Sequence, residues 1–132
     1  MTDVIQMRFP ADTEYISAIR LAVSGVAGKL EFGIDEIEDL KSCVSEACLL
    51  LLCGQKCSGI GIDMELEDSI KLNVKGLDVE GCDDCLDEHL DFNEEISRLM
   101  IQALSENVDF QEENGLLQSI SFQKEHNTDT GE

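Results

Sequence analysis

The chain has 132 residues with a formal charge of -20 at pH 7, from 29 acidic and 9 basic side chains. Such a surface repels nucleic acid and anionic membranes and favours a basic protein partner. The 42% hydrophobic content and single proline fit one compact domain. No apolar run reaches the roughly 18 residues of a membrane span, and the N-terminus lacks the pattern of a signal peptide, so we expect a cytoplasmic protein.

The first predicted strand runs from Val4 to Phe9, where apolar residues alternate, and Pro10 closes it. A helix follows, which Asp12 or Thr13 is placed to cap and which ends near Gly28. Its apolar residues recur at spacings of three and four, as one buried helix face requires. They are Tyr15, Ile16, Ile19, Ala22, Val23 and Val26.

A second helix is predicted from Asp35 to Gly54, a typical C-terminal glycine. Its apolar positions keep helical spacing up to the stretch SEACLLLLCG at residues 45 to 54. That stretch holds the charged Glu46 and then becomes apolar on every face. Cysteines occur here at positions 43, 48, 53 and 57, and a free cysteine behaves as a small hydrophobic residue. In a cytosolic protein we therefore predict reduced, structural thiols.

The apolar period then changes from 3.6 to 2. Residues 60 to 66 and 70 to 74 alternate on either side of a short turn and predict a hairpin. An acidic loop is predicted over residues 76 to 95. A third helix, from Ile96 to Leu104, precedes two strands that meet at the turn Asn114-Gly115.

These elements predict an α+β fold, a two-layer sandwich in which three helices cover one face of a mixed, mostly antiparallel sheet. We assign residues 1–124 to a single domain. Residues 125–132 contain no large apolar side chain, so we predict a disordered tail.

Three segments resemble the anti-sigma-factor serine kinases of bacterial stress and sporulation switches. They read MRFPA at residues 7–11, EYISAIRLAVSGVAGKL at 14–30 and IDEIEDLKSCVSEAC at 34–48. From residue 59 to 123 the resemblance depends on the order of elements. It implies the Bergerat-type, histidine-kinase-like ATPase fold, a homodimer, and a sigma factor, an anti-anti-sigma protein or a kinase paralogue as partner.

The family's second helix carries a general-base Glu and, four positions on, an Asn that ligates the magnesium ion of ATP. Residues at this spacing share one helix face, and magnesium requires oxygen ligands. Glu46 matches the base position. Leu50 occupies the Asn position and offers no oxygen, so the resemblance implies a lost magnesium site.

Two further ATP-binding features of the family are altered. Gly76 stands where an Asp reads the adenine amino group, and Glu95 and Ser97 replace glycines at the start of the last helix, where backbone amides hold phosphate. A carboxylate at that position repels phosphate. The loop from 76 to 95 is also shorter than the family's ATP lid.

The charge pattern agrees with these losses. Between Asp63 and Glu95 the sequence has 13 acidic residues against Lys71 and Lys75, so ATP, with a charge of about -4, meets a negative surface. We predict a degenerate, non-catalytic member, a pseudokinase that binds no ATP or magnesium. The alternative is an active serine/threonine kinase with an altered nucleotide site.

Other candidate residues have two interpretations each. Glu46 is either a surviving general base or a residual carboxylate capped by solvent or a backbone amide. Arg20 either contacts a sigma factor or its antagonist, or forms a salt bridge to Asp12, Glu14 or Asp39.

The acidic loop contains a possible metal site. Cys82, Cys85 and His89 have a spacing compatible with three zinc ligands, and Cys57 or a carboxylate would be needed as the fourth. A second cysteine or histidine pair is missing, so incidental thiols in an exposed loop are the other interpretation. We expect no metal here.

Overall fold

The computed structural model describes residues 2–53, 55–81 and 93–125. Its helices are α1 (Ile16–Lys29), α2 (Ile34–Leu52) and α3 (Glu94–Leu104). Among the described residues none of the helices is long and apolar enough to cross a membrane. The strands are β1 (Asp3–Pro10), β2 (Gln55–Lys56), β3 (Gly59–Leu66), β4 (Ser69–Leu77), β5 (Glu80–Gly81), β6 (Glu106–Glu113) and β7 (Leu116–Glu125).

Five strands form one sheet in the order β1-β3-β4-β7-β6, and every pairing in it is antiparallel. Buried residues alternate along β4, at Ile70, Leu72 and Val74, and they form one core with the inner faces of the helices. The predicted α+β, two-layer architecture is confirmed.

The position of α2 explains its apolar end. This helix packs against both α1 and α3 and also contacts β4 and β7. Cys48, Leu50 and Leu51 are therefore buried, although they point in different directions from the helix axis. An amphipathic stripe suits a helix with one buried face, whereas a helix enclosed by neighbours can be apolar all round.

The starts of all three helices differ from the predictions, and α3 begins at Glu94, before the predicted Ile96. A short 3-10 turn, Thr13–Tyr15, precedes α1, and Tyr15 is exposed instead of belonging to the apolar stripe. Helix α2 begins one residue earlier than Asp35, because the Glu36 carboxylate accepts a hydrogen bond from the backbone N–H of Gly33 at 2.8 Å. This contact satisfies one backbone donor at the helix start.

The prediction of a loop from residue 76 is wrong at its beginning. Strand β4 continues to Leu77, and β5 pairs with β2 as a separate two-stranded ribbon. The side chain of Gln55 holds this ribbon to β7: it donates to the Leu117 carbonyl at 2.8 Å and accepts from the Leu117 N–H at 3.1 Å. The loop prediction is also wrong at its end, because α3 already begins at Glu94. Residues 82–92 of the predicted loop and the predicted tail beyond residue 125 lie outside the described residues.

Candidate functional site

Helices α2 and α3 meet at Glu46 and Ser97. The Ser97 hydroxyl donates a hydrogen bond to Glu46 Oε1 at 2.5 Å, and Ser97 is only 2% exposed. The structure thus brings together the base position and one of the altered glycine positions. The partner of the Glu46 carboxylate is a side-chain hydroxyl, in place of the solvent or backbone amide that the sequence suggested.

One turn after Glu46, Leu50 lies in the core with 4% of its surface exposed. An aliphatic side chain has no lone pair for a hard cation such as magnesium, which takes oxygen ligands. The side chain at this position therefore contributes packing and no metal coordination.

Gly76 lies in close contact with three side chains at the end of β4. A Cβ atom added here would stand 2.7 Å from Val79 Cγ2 and 3.5 Å from both Leu51 Cδ2 and Cys57 Cβ. An aspartate at this position would therefore have to displace Val79. Sequence reasoning missed Cys57 and Val79 as neighbours of Gly76, because nothing in their local pattern relates them to this position.

Backbone N–H groups at the start of α3 already have hydrogen-bond acceptors within the same chain. The Asn93 side chain accepts a hydrogen bond from the Ile96 N–H at 3.1 Å, and the Asn93 carbonyl accepts one from the Ser97 N–H at 3.0 Å. Glu94 and Glu95 add negative charge in the first turn. An anion that approached this helix start would compete with these groups for the amides and the positive helix end.

The guanidinium of Arg98, the basic side chain of α3, has partners already. It lies 3.0 Å from Glu94 Oε2 and 2.7 Å from Glu112 Oε2, and its Cζ is 4.6 Å from the centre of the Phe110 ring. A phosphate would have to replace two carboxylates to use this charge.

Two cysteines of α2 are deeply buried. Burial raises the pKa of Cys43 to about 11 and that of Cys48 to about 12, so both thiols are protonated at neutral pH. The thiolate is the nucleophile and the metal ligand, and these two groups therefore act as packing residues, as predicted. Cys53 and Cys57 are half-buried.

The candidate zinc ligands Cys82, Cys85 and His89 lie outside the described residues. Within the described ranges no group of three His, Cys, Asp or Glu side chains is arranged to hold a metal ion.

Arg20 is half-buried on α1. None of the acidic side chains predicted as salt-bridge partners pairs with it in the described part of the chain. Asp39 instead lies 3.0 Å from Lys124 Nζ, and Asp12 accepts a hydrogen bond from the Glu14 N–H. The neighbouring Leu21 is 69% exposed, and α1 contains no acidic residue.

A depression of about 570 Å³ lies on the sheet, and neither Glu46 nor Leu50 lines it. Two carboxylates, Asp63 and Glu65, line it, and Asp63 is paired with Lys75 at 3.1 Å. The two carboxylates would repel the phosphates of a nucleotide in this depression, whereas Lys71, which also lines it, would attract them. Its other lining residues are Lys71, Leu72, Asn73, Asn107, Ser121, Phe122 and Gln123.

No family model matches the chain. Serine-protein kinase RsbW of Bacillus subtilis (strain 168) is 56% identical to it over 46 residues, which is 35% of this chain and 29% of the relative. RsbW of Bacillus velezensis is 52% identical over 46 residues, with the same coverage, and RsbW of Bacillus cereus (strain B4264) is 50% identical over 44 residues, 33% of this chain and 28% of the relative. The match thus spans less than a third of the length of these relatives. Over about one third of its length, this chain is therefore similar to serine-protein kinases named RsbW.

Proposed function

We propose that this chain is a non-catalytic, anti-sigma-factor-like regulator that acts by binding another protein. Its partner is a sigma factor, an anti-anti-sigma protein or a kinase paralogue. The observation that carries the proposal is the turn of α2 from Glu46 to Leu50. There the carboxylate is bound by the Ser97 hydroxyl, and a buried leucine stands where the resemblance requires a magnesium ligand.

The proposal is supported by the packing around Gly76. Adenine recognition in the resembling family requires an Asp at this position, with space beside it for the base. Here a Cβ atom at position 76 would lie at van der Waals distance or closer from Leu51, Cys57 and Val79. These apolar groups gain free energy from mutual burial, about 25 cal/mol per Å² of apolar surface, which a bound nucleotide would have to replace.

The electrostatics of α3 also oppose ATP binding. The first turn carries Glu94 and Glu95, and Arg98 is held by Glu94 and Glu112. Because the whole chain has a charge of -20, no compensating long-range attraction for a polyanion exists.

The exposed face of α1 supports protein binding. Arg20 forms no ion pair with any side chain in the described ranges, and the exposed Leu21 beside it adds apolar area. Arginine is enriched in protein interfaces and among the residues that contribute most to binding. We assign this face to the partner, and we expect the chain to act as a homodimer.

A second candidate function is that of an active serine/threonine kinase with an altered nucleotide site. The presence of Glu46 at the base position favours it, as does the identity of 50% or more to serine-protein kinases over about 46 residues. ATP and magnesium would be cofactors only under this alternative.

Calorimetric titration with ATP and magnesium separates the two candidates. We expect no heat of binding from the purified protein up to millimolar nucleotide. Binding in the micromolar range, about -8 kcal/mol, would overturn the proposal in favour of the kinase.

Binding to purified sigma factors and anti-anti-sigma proteins tests the role of α1. Arg20→Ala should weaken the complex at least about tenfold, because interface arginines often contribute more than 1 kcal/mol. Lys29→Ala, on the same helix, is the matched control for charge and should bind like the unmodified protein. If the unmodified protein and both variants bound with equal affinity, Arg20 would not be part of the interface.

A further inference from the structure

Helix α3 has apolar side chains on two of its faces. Toward the interior, Ile101 is buried in the core and Leu104 packs against it. On the outer side, Ile96 is 54% exposed and Leu99 is 59% exposed. A helix at the surface of a globular protein typically has charged and polar residues on its outer side. The outer side of α3 departs from this pattern, because it holds large apolar side chains that are more than half exposed.

Four residues form this outer face of α3. Ile96, Leu99, Met100 and Ala103 occupy positions i, i+3, i+4 and i+7 of the helix. Met100 is half-buried and Ala103 is exposed. In knobs-into-holes packing, four neighbouring residues of one helix form the hole that receives a side chain of a facing helix, and residues at these spacings are such neighbours. The outer face of α3 therefore has the pattern that fits a second helix.

The charges beside the outer face of α3 are mostly negative. Glu94 and Glu95 stand in the first turn, and the Arg98 guanidinium lies 3.0 Å from Glu94 Oε2 and 2.7 Å from Glu112 Oε2. Three carboxylates thus stand against one guanidinium. Glu95 is exposed, has no ion-pair partner among the described residues and precedes Leu99 by about one helical turn. A basic side chain of a partner would meet an unpaired carboxylate here.

We propose that the outer face of α3 binds a basic amphipathic helix of another protein. The apolar stripe of that helix packs on Ile96, Leu99, Met100 and Ala103, and a lysine or arginine beside the stripe pairs with Glu95. Burial of apolar surface supplies most of the favourable free energy, and the opposite charge selects the partner. The inference goes beyond the proposed function, because it adds a second binding surface to the one assigned to α1.

The charge of the chain disfavours other occupants of this face. A second copy, also of charge -20, would bring further carboxylates toward those of α3, and an anionic membrane would repel them. Helices that lie in a membrane surface are rich in lysine or arginine on their polar side, whereas α3 has two glutamates and one arginine. A basic helix is attracted by the same charges that repel these two alternatives.

Calorimetric titration with two synthetic peptides tests the inference. Both peptides have about 14 residues, enough to span the 11 residues of α3, and both carry leucines at helical spacing. The other positions are lysine in one peptide and glutamate in the other. We expect the lysine peptide to bind in the micromolar range and the glutamate peptide to bind at least about tenfold more weakly.

Two leucine variants separate docking on α3 from general attraction between opposite charges. Leu99 on α3 and Leu21 on α1 are both more than half exposed, and glutamine at either position leaves the net charge unchanged. Leu99→Gln should weaken binding of the lysine peptide at least about tenfold, because a packed leucine is lost from the interface. Leu21→Gln should bind the peptide like the unmodified protein.

Two glutamate variants test the pairing of Glu95 in the same way. Glu95→Gln should weaken binding of the lysine peptide about two- to fivefold, the effect of one exposed ion pair. Glu65→Gln removes an equal charge from an exposed position of β3 and should have a smaller effect. Thermal unfolding of every variant should match that of the unmodified protein, which excludes misfolding as the cause.

Three results would overturn the inference: no binding of the lysine peptide at about 100 μM, equal affinity for the two peptides, or equal affinity of Leu99→Gln and Leu21→Gln. A lower mass of Leu99→Gln in sedimentation equilibrium would assign the face to a second copy instead. Binding to phosphatidylcholine vesicles that is lost in Leu99→Gln would assign it to a membrane. The proposed function is tested separately, because neither ATP binding nor the effect of Arg20→Ala depends on this face.

Discussion

The interior contact between α2 and α3 and the exposed face of α1 differ in what their polar side chains do. In the interior, Glu46 is bound by Ser97, and Leu50 is surrounded by core. On α1, Arg20 has no ion-pair partner among the described residues, and Leu21 is mostly exposed. A chain can therefore keep helices that resemble those of a kinase while its interior groups are committed to one another and only its surface has groups available to a partner.

The largest expected effect comes from placing the same polar side chain in the two regions. Leu50→Asn buries an amide where a leucine packs, and it should lower the free energy of unfolding by about 3 kcal/mol or more. Leu21→Asn, at a site that is 69% exposed, should change it by less than about 0.5 kcal/mol. Urea denaturation of both variants measures the difference. Equal losses would mean that Leu50 is not part of the rigid core.

An intermediate effect is expected from pH, because the interior thiols of α2 cannot ionise in the folded protein. The pKa of Cys48 is raised from 9.0 to about 12 and that of Cys43 to about 11 by burial. Above pH 9 the unfolded chain loses these protons while the folded chain keeps them, so stability is complete below pH 9 and falls as the pH rises toward 11 to 12. At pH 10 the loss is about 1.4 kcal/mol for each thiol.

The thiol contribution can be isolated by replacing one cysteine. Urea denaturation at pH 8 and pH 10 should show a smaller loss for Cys48→Ala than for the unmodified protein, by about 1.4 kcal/mol. Other groups that titrate in this range are shared by both proteins and cancel. If the two losses were equal, Cys48 would be accessible to water in the folded state.

The periodicity of apolar residues predicted the elements that are formed by residues close together in the sequence. The alternation from Ile60 to Val74 predicted the hairpin of β3 and β4, and the Asn114-Gly115 turn has the positive φ angles, 56° and 79°, of the predicted connection. The ribbon of β2 and β5 was missed, since it pairs Gln55 with the distant Gly81 and is attached to β7 by hydrogen bonds between Gln55 and Leu117, which are 62 residues apart.

The same limit applies to the candidate site. Leu50 could be identified as an unsuitable magnesium ligand from its residue type alone. The hydrogen bond between Ser97 and Glu46 joins residues 51 positions apart. The sequence indicated only that Glu46 retains the base position of the resembling family and that Ser97 replaces one of its glycines. Which side chain satisfies a half-buried carboxylate is a property of the packed helices.

The smallest expected effect concerns this hydrogen bond. Ser97→Ala removes the hydroxyl and leaves the half-buried Glu46 carboxylate without that donor, so the free energy of unfolding should fall by about 1 kcal/mol. Glu46→Gln keeps an oxygen that can accept from Ser97, and its loss should be smaller. Urea denaturation at pH 7 compares the two variants. If Ser97→Ala were as stable as the unmodified protein, water would have to replace the hydroxyl, and Glu46 would then be accessible enough to act as a base.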